Sequence, residues 1–359
     1  MKTKLFTLLC FLPLSFLNAN LSFEADIECK KCHPTIYKEH QGAMHNNSTI
    51  FKDPIHKAVW DKHPANLKKG KYKCAKCHTP TATQDVPDIS NPTHTEGISC
   101  AYCHRIQSIK PSLMANKNII NKEEKDYFGT MQSPVRNRFH HNGTNDNFKT
   151  GQVCMGCHSH KKNKQKFDVC ETGMGAEGDA KNCITCHMPK VAGSVSTKND
   201  GETHSYHGFP GANAGQEMLA KYIDIHFRNK SEGFEISIYN QSPHLMLLHP
   251  LRLAQLRVSI VRDSQIIDLK AKVFVKVIGT KAKASPPWTA TQVVKNTMIK
   301  AKETRFVTYE DELKAGDTLK VTLGYFLVKP KMLVKFALEN NEKVKKFHIL
   351  KEVLFEVKQ

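Results

Sequence analysis

Ten of the twelve cysteines in this 359-residue chain fall into five Cys-x-x-Cys-His units. They are Cys29-Lys-Lys-Cys32-His33, Cys74-Ala-Lys-Cys77-His78, Cys100-Ala-Tyr-Cys103-His104, Cys154-Met-Gly-Cys157-His158 and Cys183-Ile-Thr-Cys186-His187. Two intervening residues set a pair of thiols at the right separation to add across the vinyl groups of a porphyrin as thioethers. The histidine that follows is then held under the ring, where its imidazole ligates iron from the proximal face. Zinc ribbons and disulfides also use paired cysteines, but neither requires histidine directly after the second one. With 19 histidines in the chain, one such neighbour arises by chance about one time in twenty. Five in five is on the order of one in a few million by composition alone. The spacing therefore implies five covalently bound haem c groups, with His33, His78, His104, His158 and His187 as proximal ligands. It also implies dedicated haem-attachment machinery as a partner.

Each iron then needs a sixth ligand or keeps an open position. Histidines outside the motifs are His40, His45, His56, His63, His94, His140, His141, His160, His204, His207, His226, His244, His249 and His348. That surplus favours two imidazoles at most irons, an arrangement that closes the metal to substrates and leaves an electron relay. Met44, Met131 and Met188 are alternative ligands, and packing is the plainer use of a methionine. Cys170 has no motif partner; it reads as an inert buried thiol or as a redox-active group near a haem.

The elements that must hold these groups differ along the chain. Residues 29–187 carry all five motifs, about 30 residues per haem, too few to bury an ordinary core. The porphyrins must supply much of the apolar surface. Breaks such as His33-Pro34, Asp53-Pro54 and His63-Pro64 predict helices of one to three turns. Lys117 to Lys125 and Lys161 to Lys166 read as charged loops, and no sheet of consequence is expected. From about residue 230 the period changes to two. Phe234, Ile236 and Ile238 alternate with polar residues. So do Leu256, Val258 and Ile260; then Leu269, Ala271, Val273, Val275 and Val277; then Leu319, Val321, Leu323 and Tyr325; then Met332, Val334, Phe336 and Leu338. Ala315-Gly316-Asp317 reads as a turn and Pro286-Pro287 as a break. The pattern predicts an all-β, immunoglobulin-like sandwich. The expected organisation is a signal peptide over 1–19, a pentahaem cytochrome c domain over 20–215, a helical linker over 216–229 with Gln216 to Phe227 as its helix, and a β-sandwich over 230–359.

Lys2 and Lys4 followed by the apolar run Leu5 to Leu17, with Asn18-Ala19-Asn20 after it, read as a cleavable export signal. A membrane anchor is the competing reading, but the run falls short of the roughly 20 residues a span needs. Cys10 lies inside it and would leave with the signal. Formal net charge is +19; cleavage would remove Lys2 and Lys4 and leave +17, and the propionates of five haems would lower this to roughly +7. Nucleic acid is not an expected partner for an exported protein. A basic surface there points to anionic lipid at a membrane face, to an acidic redox partner, or simply to solubility.

With the motifs placed, the chain resembles the multihaem cytochromes grouped with the tetrahaem cytochrome of ammonia oxidisers. More distantly it is similar to the hydroxylamine oxidoreductases and pentahaem nitrite reductases. The matching stretches are Cys29 to Tyr37 leading to Met44-His45, Glu96-Gly97-Ile98-Ser99-Cys100, Cys186-His187-Met188-Pro189 and His207-Gly-Phe209-Pro-Gly211. The tail resembles a β-domain appended to some members, through Asn240, His244, Pro286, Trp288, Glu303, Arg305 and Tyr309. Pro243 stands where that element has Gly, and its Pro-Thr-Gly is missing. The resemblance implies His45, His207 and one of His140 and His141 as distal ligands, then His94 and His244, with His56 and His63 as rivals.

Two functions follow as expectations. The first is a periplasmic carrier between a membrane quinol dehydrogenase, or another cytochrome, and a terminal reductase of anaerobic respiration. The second is a multihaem reductase of a small nitrogen or sulfur oxyanion at one open iron. Every motif here ends in His, whereas the pentahaem nitrite reductases mark their catalytic haem with Lys. A purely adhesive role for the sandwich would leave five haem sites unexplained.

Overall fold

The computed structural model describes residues 21–82, 85–131, 138–172, 181–198 and 201–358. The expected signal segment and Cys10 lie outside them. In the motif-bearing region the prolines that read as breaks are helix starts. Pro34, Pro54, Pro64 and Pro92 occupy the first position of the helices Pro34–Gly42, Pro54–Asp61, Pro64–Leu67 and Pro92–Thr95. There the missing N–H has no partner to lose, and the ring fixes φ for the helix. The preceding residues cap the turns: Asp53 accepts from the Ile55 N–H at 2.9 Å and Asn91 from the Thr93 N–H at 3.0 Å. The motifs themselves sit on single turns such as Ala75–His78, Cys100–His104 and Met155–His158. The His33 N–H donates to the Cys29 carbonyl at 2.9 Å and the His78 N–H to the Cys74 carbonyl at 3.1 Å. One helical turn thereby places both thiols and the imidazole on one side.

Sheet in this region is confined, among the described residues, to two-stranded ribbons. Ile106–Lys110 pairs with Lys117–Ile120, Asp126–Gly129 with His141–Thr144, His160–Lys162 with Asp168–Glu171, and Lys190–Ala192 with Thr203–Ser205. This corrects two expected loops, since Lys117 to Ile120 and Lys161 to Lys162 are strand. A two-stranded ribbon leaves side chains open to solvent, so lysines do not oppose it. Small clusters replace a single core: Tyr102, Ile106, Phe148 and Val153 form one, and Trp60, Tyr72 and Ala75 another. The fully buried Arg105 ties them to the chain start. Its guanidinium donates to the Ser22 carbonyl at 2.6 Å and the Asn121 carbonyl at 2.9 Å, and lies over the Phe23 ring.

The C-terminal region packs a three-stranded sheet on a seven-stranded one. In the first, Phe234–Asn240 lies between Ile223–Asn229 and Thr304–Tyr309. In the second, the strands run Lys283–Ala284, Lys272–Thr280, Leu253–Arg262, Thr318–Phe326, His348–Glu356; Gln265–Asp268 joins Leu253–Arg262 and Gln292–Asn296 joins Lys272–Thr280. The pairing is antiparallel throughout. The inward side chains Phe234, Ile236 and Ile238 meet Leu256, Val258, Ile260, Leu319, Val321 and Leu323 in one cluster. Gly316, at φ +91, makes the turn before Thr318–Phe326.

Several expectations need correction here. Gln216 to Phe227 is not one helix: only Gln216–Leu219 is α-helical, a 3-10 turn follows, and Ile223–Asn229 is an edge strand. Ile223, Ile225 and Phe227 alternate, and pairing with Phe234–Asn240 decides between the two periods. Met332 to Leu338 is not a strand but a 3-10 turn and the helix Leu333–Phe336; Pro330 starts it. In Lys272–Thr280 the inward face is Phe274, Lys276 and Ile278, not the valines, and Leu269 and Ala271 precede the strand. The long strand His348–Glu356 is an addition to the expected set.

The two regions are joined by apolar and polar contacts. Ala58 packs with Val328, Leu338 and Val344. The Tyr325 hydroxyl donates to the Ala212 carbonyl at 2.9 Å, and the Asn163 amide to the carbonyls of Pro287 at 2.8 Å and Ala290 at 2.6 Å. Replacing the fully buried Ile236 with Ala is expected to cost about 3 kcal/mol, read by chemical denaturation. A loss below about 1 kcal/mol would mean that this inner face is not tightly packed.

Candidate functional site

Four of the five motif histidines face a second imidazole from a distant segment. Ring centroids are 6.3 Å apart for His33 and His140, 6.0 Å for His45 and His158, 6.3 Å for His104 and His207, and 6.2 Å for His187 and His244. A metal bound by nitrogen at about 2 Å on each side requires a centroid separation of roughly 6 Å. The pairs therefore leave the gap that a bis-imidazole iron fills. Three of them have ring planes within 20° to 27° of parallel.

Hydrogen bonds orient the rings for that task. The Nδ1 atoms of His33, His104 and His187 lie 2.6, 2.7 and 2.6 Å from the carbonyls of Val195, Phe128 and Pro210. Those of His207 and His244 lie 2.7 Å from the carbonyls of Ser205 and Leu245. A carbonyl only accepts, so Nδ1 carries the proton and the Nε2 lone pair is left for a metal. Burial keeps the rings neutral as well. Desolvation, with the neighbouring His158, pushes His45 down to about 3; desolvation, with His104, does the same to His207. His104, His140, His158 and His244 are lowered, chiefly by burial. Neutral imidazole is the ligating form.

Local structure accounts for two of these placements. Gly97 has φ +64, and a Cβ there would overlap the His45 carbonyl. Glycine lets Ile98 N–H reach that carbonyl at 2.9 Å, fixing the segment that carries His45. Asn240 donates to the His244 carbonyl at 3.0 Å and to the Lys300 carbonyl at 2.8 Å, shaping the turn that points His244 toward His187. The Gly-to-Pro243 departure is thus compatible with a His244 that faces a motif ring.

The remaining sequence candidates are placed otherwise. His141 has its Nδ1 2.9 Å from an Asp126 carboxylate oxygen. His94 accepts the Asp88 N–H at Nδ1 at 3.1 Å, and His63 accepts the Ala65 N–H at 3.1 Å. In a neutral ring this puts the proton on Nε2, the wrong tautomer for a ligand. His56 contacts His78, but with centroids 4.0 Å apart no iron fits between them. Both His56 nitrogens are engaged, Nδ1 with the Ser48 carbonyl at 2.9 Å and Nε2 with the Tyr72 hydroxyl at 2.8 Å. His78 thus faces no opposed imidazole at the 6 Å spacing. Met131 is exposed. Cys170 is exposed on its strand rather than buried; desolvation by the surrounding chain still raises its pKa, which does not favour a reactive thiolate.

The thiols draw the five motifs into one array. Cys29 hydrogen-bonds with Cys100, Cys77 with Cys157, and Cys154 with Cys183. Cys103 is close enough to act on Cys154 and Cys157. Motif one therefore abuts motif three, three abuts four, and four abuts both two and five. Spacing along the sequence carried no sign of this order, because each contact joins residues far apart in the chain.

The family described as cytochrome c554 and c-prime matches residues 28–105, which span the first three motifs. The solved structure of a penta-heme cytochrome c552 from Thermochromatium tepidum is similar in fold, with a TM-score of 0.73 and 23% sequence identity. The match covers 93% of this chain and 99% of that one. No curated protein matches the chain. Replacing His45 with Ala is expected to convert one low-spin iron to high spin, and Gly97→Ala to do so partially by displacing His45. An unchanged low-spin electron paramagnetic resonance (EPR) spectrum in H45A would remove His45 from the ligand set.

Proposed function

We propose that this chain, a multihaem c-type cytochrome, binds five haem c groups and carries electrons outside the cytoplasm. The observation that carries this reading is the set of four opposed imidazole pairs at 6.0 to 6.3 Å. The cysteines of the five motifs would hold the groups through thioethers, with His33, His78, His104, His158 and His187 on the proximal side. His140, His207, His45 and His244 would occupy the distal side of four. Haem so bound supplies a one-electron site that is closed to substrates. The protein's own contribution is to orient each imidazole through its Nδ1 bond, to exclude water by burying both rings, and to place neighbouring attachment turns in contact. A thiol array without a break supports transfer along the whole set.

The periplasmic location, the quinol dehydrogenase or cytochrome donor and the terminal reductase acceptor belong to the same proposal. They are supported by the N-terminal signal pattern and by the basic charge, which would draw an acidic partner or an anionic lipid surface. No helix among the described residues is long and apolar enough to cross a membrane. The C-terminal unit, read as immunoglobulin-like, supports the array directly by supplying His244. An EPR spectrum with a redox titration should show four low-spin ferric irons that are reversibly reduced. Fewer than four would defeat the relay.

His78 favours a second reading, in which one iron stays open and the protein reduces a small nitrogen or sulfur oxyanion. Burial pushes His78 down to about 3, so its ring is neutral and able to ligate, yet no ring stands opposite. The outcome to look for is a fifth, high-spin signal that changes when nitrite or hydroxylamine is added, together with turnover of nitrite, hydroxylamine or tetrathionate. Five low-spin signals and no turnover would eliminate the enzyme.

A further inference from the structure

The sandwich turns a group of positive charges toward the second motif. Lys276 lies on the inward face of Lys272–Thr280 and is only 7% exposed, yet no carboxylate lies within 4 Å of it among the described residues. Arg252, half-buried in the turn before Leu253–Arg262, is likewise absent from the ion pairs of the described residues. The Lys329 ammonium donates to the Lys276 carbonyl at 3.1 Å, and its backbone N–H to the Leu251 carbonyl at 2.8 Å. Arg252 N–H donates to the His249 carbonyl at 3.0 Å. These bonds bind the segment 249–252, the strand carrying Lys276 and Lys329 into one wall.

His249 completes the group. Its Nδ1 accepts the Leu251 N–H at 3.3 Å, so the neutral ring presents an Nε2–H donor. Arg252, Lys329, His56 and Lys276 all act on this ring, and His249 in turn acts on His78. Arg252 and Lys276 also act on Cys170, whose other neighbours include Cys77. The wall therefore stands beside the attachment turn of Cys77 and His78, the one motif histidine with no opposed imidazole. Acidic groups nearby are few: Asp53 acts on Arg252 and Glu171 on Cys170. A buried cation without a carboxylate is costly unless an anion meets it. Lys276 also borders a cavity of about 190 Å³, shared with Glu171, Thr172 and His244.

We propose that Arg252, Lys276, Lys329 and His249 form an anion cradle, built by the sandwich, for anionic oxygen at the Cys74–His78 site. Two sources fit this chemistry: a small free oxyanion at the open face, or the carboxylates of the porphyrin attached there. The inference rests on the proposed haem attachment at Cys74 and Cys77. A mass carrying five porphyrin increments checks that attachment independently, so failure of the cradle is read separately.

The experiment uses the full-length holoprotein and its R252Q, K276Q and R252K variants, each with the same porphyrin mass. Nitrite and sulfite are titrated against the absorption and EPR spectra, and the propionate bending bands are read by resonance Raman. A saturable spectral change that weakens at least tenfold in R252Q and K276Q, and is largely restored in R252K, identifies a free oxyanion. A shifted propionate band in R252Q and K276Q, retained in R252K, with no anion titration in the wild type, identifies the porphyrin carboxylates. Neither change, at full haem content, overturns the cradle.

Discussion

Opposed imidazoles set the terms for everything else in the first two hundred residues. Each pair joins a motif histidine to a ring far away in the chain: His33 to His140, His158 back to His45, His104 forward to His207, and His187 to His244 in the following domain. A separation near 6 Å admits one metal and little error. The surrounding protein is arranged to hold it, with carbonyls fixing Nδ1 and burial keeping the rings neutral. Only small apolar clusters are available nearby, so the rings and the groups they hold must stand in for a core.

The C-terminal sandwich is stabilised differently. Its two sheets share one continuous apolar cluster, and its strands pair mostly with near neighbours in sequence. It nevertheless takes part in the array, because His244 belongs to it and Ala58 of the motif region packs onto it. The regions are thus one functional body with two modes of cohesion: metal ligation in one and hydrophobic burial in the other.

How far the residues disclosed this varies by kind of information. The five motifs were legible outright, since attachment chemistry is written in contiguous spacing. The strands around Ile236, Val258 and Val321 were legible because one face is buried and the other is not. Proline was misread as punctuation where it opens helices. Ile223 to Phe227 was ambiguous between two periods until pairing resolved it. The valines of Lys272–Thr280 pointed to the wrong face, because local alternation cannot show that a lysine is the buried partner. Distal ligands were the hardest. A histidine's neighbours in sequence do not reveal which ring it will face, and His94 and His141 look no worse than His140 until their hydrogen bonds are seen.

The thiol contacts between motifs carry a consequence for biogenesis. In the folded arrangement Cys29 touches Cys100 and Cys77 touches Cys157, so a chain that closed first would have its reactive sulfurs turned toward one another. Covalent loading must then precede closure, while the segments bearing the later rings are still loose. The sandwich, which can collapse on its own apolar cluster, holds the last of those rings, and its docking would seal an array already filled.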